Sequence, residues 1–152
     1  MSRSQRPRKA YKPKPVSIPV THLRHEFMLV MLSILSAAQL GYFSHYQYEK
    51  LAQALNVVWG ALLVKPPKDS SVTIVLEGAM RAMNEAGRRG NSTGVWELRQ
   101  LEQAAISAGI GKVDYALQFM DVMSLYRSMQ HLKMVERADS RSAAYQLERM
   151  AA

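Results

Sequence analysis

The six prolines of this 152-residue chain fall in only two places, and they limit where regular structure can form. Pro7, Pro13, Pro15 and Pro19 punctuate the first twenty residues, and Pro66 and Pro67 stand together near the middle. Proline lacks the amide proton that a helix or strand interior needs, and it pushes the residue before it toward extended geometry. Residues 1–20 therefore read as an extended arm, and no helix should pass Pro66. From Thr21 onward the apolar residues recur at three- and four-residue spacing, the period of one face of an α-helix. The segment 72–75 is locally β-prone, but its flanks are helical, and no strand pattern emerges.

The expected fold is all-α, a compact bundle of about five helices with an extended basic N-terminal arm. It divides into the arm (1–20), a helical domain (21–137) and a weakly ordered helical tail (138–152). Thr21 is a fair N-cap for a first helix that runs to about Leu40 and stops at Gly41. Leu23, Phe27, Val30, Met31, Ile34, Leu35 and Ala38 form its stripe, but Met28, Leu29 and Leu32 add a second apolar face. A helix apolar on several faces is central, or it pairs with another chain. Ser44 and Gln47 have the spacing of a capping box for a second helix, which Pro66 ends. Asp69 or Ser70 caps a third helix reaching about Gly87. Residues 87–94 read as a polar, glycine-rich loop, from which Thr93 caps a fourth helix ending at Gly109. A fifth then runs from about Lys112 to Glu136. Trp59 and Trp96 are expected to be buried or at an interface.

Charge is unevenly placed. Seven of the 20 basic residues precede the first acid, Glu26, leaving 13 against 12 acids in the rest of the chain. The net charge of +8 is thus concentrated in the arm, which points to a polyanionic partner, either nucleic acid or an acidic protein surface. Arg3, Arg6, Arg8, Lys9, Lys12 and Lys14 can neutralise phosphates, and Tyr11 among them can stack on a base. The alternative is a solubilising tail, or an arm that docks on a partner subunit. The segment is too poor in apolar residues to fold by itself.

A basic stretch before the apolar run 28–35 also has the outline of a secretion signal. The basic region is long and proline-broken, His25 and Glu26 sit directly before the run, and the run is shorter than a bilayer needs. A buried helix and a chain without membrane contact are the expectation. Cysteine is absent, which excludes disulfides, thiolate metal sites and a cysteine nucleophile.

Other motifs are weaker. Arg88, Arg89 and Thr93, placed just before an expected helix N-terminus, form a possible anion site, although the Gly-Lys-Ser/Thr ending of a phosphate-binding loop is missing. Asn91, Ser92 and Thr93 also make a glycosylation triplet. Residues 51–57 and 105–109 resemble the turn of a helix-turn-helix, but the stretch after each is too apolar or too long for a recognition helix, and ordinary helix junctions are the preferred reading. His22 and His25 lie one turn apart without a further ligand, so no metal and no cofactor is expected. No acid pair has the spacing of a di-metal carboxylate set, and no serine sits in a nucleophile elbow. The chain reads as a non-enzyme.

Residues 8–16 (RKAYKPKPV), 79–83 (AMRAM) and 93–98 (TGVWEL) resemble small uncharacterised helical accessory proteins of bacteriophages and prophages of Gram-negative bacteria. About a quarter of the chain carries the resemblance, and none of it is a catalytic signature. It implies a bacterial cytoplasm and an accessory role in infection or lysogeny. Residues and resemblance together lead to a non-enzymatic accessory protein contacting nucleic acid through its arm, its apolar first helix favouring a homo-oligomer. The alternative is a protein-interaction module that binds and inhibits or redirects a host protein.

Overall fold

The computed structural model describes the backbone of residues 20–151 and of Pro13, and the side chains of residues 20–137 apart from His22. Five helices succeed one another: α1 (Thr21–Gln39), α2 (His45–Val64), α3 (Ser70–Thr93), α4 (Gln100–Leu117) and α5 (Val122–Ala151), with no strand among the described residues. The α3–α4 pair is the most extensive packing in the fold; α1 lies on α4 and α2, and α2 on α3 and α5. Met31, Leu51, Leu55, Leu76, Ile106, Ile110 and Leu117 fill the centre.

Local chemistry explains most helix ends. Val20, not Thr21, stands at the N-cap of α1, without a side-chain cap bond; it is held there by burial instead. At the other end Gly41 takes a left-handed φ of 82°. The amides of Gly41 and Tyr42 then reach back to the carbonyls of Ala38 and Ala37 at 3.1 and 2.8 Å, the paired bonds of a Schellman stop. The capping box of α2 is complete: Ser44 Oγ accepts from the Gln47 amide, and Gln47 Oε1 accepts from the Ser44 amide. Asp69 caps α3 by accepting from the Ser71 amide at 2.9 Å.

Three expected boundaries are corrected. Residues 87–93 are not a loop but the last two turns of α3. Glycine is a poor helix former, yet here Gly87 and Gly90 leave room for Tyr48 and Trp96, whose rings lie where a Cβ would stand. The hydroxyls of Ser92 and Thr93 donate back to the Arg89 carbonyl, and Gly94, at φ 76°, makes the turn. Thr93 therefore closes α3 rather than opening α4, which starts at Gln100. Gly109 does not end α4 either. It sits in mid-helix against the Ala79 methyl of α3, where a small residue lets the two backbones approach. Residues 112–117 consequently belong to α4, and α5 begins only at Val122, its first turn capped by Asp121 Oδ1 accepting from the Met123 amide. Trp59 and Trp96 are half-buried.

The two glycines of α4 separate packing from propensity. A Cβ at Gly109 would overlap Ala79, whereas one at Gly111 would meet nothing within 4 Å. Gly109→Ala should destabilise the protein by about 1–3 kcal/mol through overpacking. Gly111→Ala should stabilise it by up to about 1 kcal/mol through helix propensity. Urea midpoints of the two variants, measured side by side, check the sign of each.

Candidate functional site

The arm residues Arg3, Arg6, Arg8, Lys9, Tyr11, Lys12 and Lys14 lie outside the described residues. The root from which the arm leaves lies within them. Val20 is buried there, and one turn into α1 the Arg24 guanidinium meets both oxygens of Asp114, near the end of α4, at 2.7 and 2.9 Å. The hydrogen bond and charge of Arg24 hold the Asp114 carboxyl below its ordinary pKa. A planar two-point contact of this kind fixes direction as well as distance.

Arg88, Arg89 and Thr93 come together at the end of α3, but with different partners from those expected. Arg88 pairs with Glu85 on the preceding turn. Arg89 donates to both oxygens of Glu102 at 2.8 and 2.7 Å and to the Glu97 carbonyl at 3.0 Å. The two side chains are 16% and 12% exposed. Thr93 Oγ1 donates to the Arg89 carbonyl and accepts from the Val95 amide. The helix end beside them is a C-terminus, where free carbonyls favour cations rather than anions. The N-terminal dipole on which an anion site was expected is therefore not there, and Arg89 is engaged in joining α3 to α4. Burial alone would raise the Glu102 pKa; the hydrogen bonds from Arg89 and the Arg99 amide, with the charge of both arginines, outweigh it and hold the pKa below the ordinary value.

Residues 51–57 lie in mid-α2 and residues 105–109 in mid-α4. Neither contains a turn, so neither is a helix junction of any kind. Among the described residues no group of three or more His, Asp or Glu side chains is close enough to hold a metal ion. No described helix is long and apolar enough to cross a membrane.

Concavities lie elsewhere among the described residues. One, of about 380 Å³, lies between the α2–α3 turn and the α4–α5 turn, with Lys65, Lys68, Tyr115, Phe119 and Asp121 on its walls. Another, of about 430 Å³, is a groove between the first halves of α1 and α5. Leu23, Phe27 and Val30 form one wall, Tyr126 and Met129 the other, and Val57 of α2 the floor; among the described residues Glu26 is the one charged side chain on it. The sequence marks α1 as apolar on too many sides but does not reveal this groove, because its second wall comes from a helix a hundred residues away.

Glu102, Asp114 and Asp69 all have lowered pKa values in the folded chain. A carboxylate lowered on folding stabilises the fold above its unfolded pKa of about 4, and that contribution is lost as pH falls through the folded value. Stability to urea should thus hold from neutral pH to about pH 5 and fall below about pH 4. Glu102→Gln should cost about 2 kcal/mol at neutral pH, the worth of a charge-assisted bond in a mostly buried position, and should flatten the acid limb. No protein family, no curated protein and no solved structure matches this chain.

Proposed function

We propose that this chain is a non-enzymatic accessory protein of phage or prophage origin, acting in the bacterial cytoplasm, that contacts nucleic acid through its basic N-terminal arm. One observation carries the reading: the partition of charge. The six cations of residues 1–19 stand without an acid among them and supply most of the net +8. In the body four arginines are paired with carboxylates. Arg24 pairs with Asp114, Arg81 with Glu77, Arg88 with Glu85 and Arg89 with Glu102. Cations already paired with carboxylates have little to gain from phosphate, whereas those of the arm have no acid near them in sequence. Binding of this kind comes from released counterions, tracks the phosphate backbone and carries little sequence preference. Tyr11 adds a ring on which an unpaired base can stack.

A second reading has its own support. Leu23, Val30, Tyr126 and Met129 are large, apolar and roughly half exposed on the walls of the groove between α1 and α5, and apolar surface gathered in one region marks a protein contact. In that reading the chain is an interaction module that binds and inhibits or redirects a host protein, the arm lying along an acidic groove of that partner. A homo-oligomer is compatible with both readings.

Fluorescence anisotropy with a short labelled DNA or RNA separates the two. With six phosphates neutralised, log K should fall against log salt with a slope of about −5 for duplex DNA. Deleting residues 2–16 should abolish binding and leave the circular dichroism spectrum close to that of the full chain. Equal binding by the truncated chain would overturn the arm reading.

A further inference from the structure

We infer that the concavity between the α2–α3 turn and the α4–α5 turn binds a medium-chain fatty acid, its aliphatic chain on the apolar lining and its carboxylate against Lys65 and Lys68. This goes beyond the proposed function and does not depend on the arm.

The lining sets the body of the ligand. Ala61 and Leu62 of α2 and Ala116 of α4 contribute buried apolar surface to the concavity, and Met120 is half-buried beside them. Tyr115 and Phe119 also line it, their rings edge to face with centroids 5.2 Å apart. Phe119 is 67% exposed, so this wall has apolar area left to cover. The two rings already satisfy one another, and the rest of the apolar lining is methyl, methylene and thioether groups, which suit an aliphatic chain better than a further ring. Pro66 and Pro67 complete the lining, and their fixed φ makes that part of the site preformed. The volume of about 380 Å³ lies near the lower end of small-molecule sites, roughly 300–1,000 Å³. That suits a single short chain. A sugar or nucleotide would need more hydrogen-bonding groups than this lining supplies.

The charges set the head. Lys65, Lys68, Asp69 and Asp121 all reach the concavity. The two carboxylates serve helix starts. Asp69 accepts from the amide and the hydroxyl of Ser71 at 2.9 and 2.8 Å, and Lys112, which donates to the same hydroxyl at 3.0 Å, adds its charge nearby. Asp121 accepts from the Met123 amide at 3.2 Å. Neither lysine side chain has an ion pair or hydrogen bond among the described residues. Their ammonium groups favour an anion and oppose a cation. The two cap carboxylates balance the lysines in number, so one negative charge is accommodated better than the two of a phosphate monoester.

Isothermal titration of the full chain with octanoate should give one saturable site with a Kd below about 1 mM. Octan-1-ol, the same chain without the charge, should bind about fivefold more weakly. The double variant Lys65→Gln/Lys68→Gln should weaken octanoate about fivefold and leave octan-1-ol unchanged. Phe119→Ser should weaken both. All three side chains are exposed, so circular dichroism should stay that of the wild type. A diazirine-bearing fatty acid of similar length, irradiated on the wild-type chain, should label residues 61–69 and 115–124. Absence of saturable binding would overturn the inference. So would octan-1-ol binding as tightly as octanoate, octanoate affinity unchanged in the double variant, or labelling concentrated in the arm or in the α1–α5 groove. Should a variant unfold, the labelling pattern of the wild-type chain decides.

Discussion

Everything else in this fold leans on the closeness of α3 to α4. Ala79 meets Gly109 where a Cβ would collide, so the two backbones lie nearer to each other than larger side chains would permit. Around that contact Leu76, Met83, Ile106 and Ile110 are buried, and Arg89 and Glu102 join the same helices at the end. The pair is thus held by dispersion in its middle and by a two-point ion pair at its edge. Helices α1 and α2 pack on this frame, α1 against α4 and α2 against α3. Gly87 and Gly90 use the same device a second time, seating Tyr48 and Trp96 on the surface of α3. His45 and Tyr48 of α2 stand against the Trp96 ring, with centroids 4.5 and 5.0 Å away, which ties the start of α2 to the α3–α4 connection.

How much of this is legible in the sequence depends on the range of each signal. Caps and prolines act over a few residues, and they locate the ends of α1 and α2 and the start of α3 almost to the residue. Glycine is ambiguous, because the same residue serves a left-handed turn and a close approach within a helix. Gly41 and Gly94 turn the chain; Gly87, Gly90 and Gly109 accept a neighbour from another element. Nothing local separates the two uses, since the neighbour lies far away in sequence. That is why the end of α3 and the whole α4–α5 division are misplaced by sequence reasoning. The anion site at Arg88, Arg89 and Thr93 is affected too, because the helix start it was placed on is the end of α3. The groove is hidden for a related reason: half of it belongs to α1 and half to α5.

Electrostatics divides the molecule along its length. Four of the body's arginines sit on its own carboxylates, Asp114, Glu77, Glu85 and Glu102. Exposed pairs such as Arg81–Glu77 add little to stability. Arg24 has a separate part. It is the first cation after the arm, and its two bonds to Asp114 turn it inward. The boundary between a charged leader and a nearly neutral body is therefore set by one ion pair as well as by the last proline of the arm.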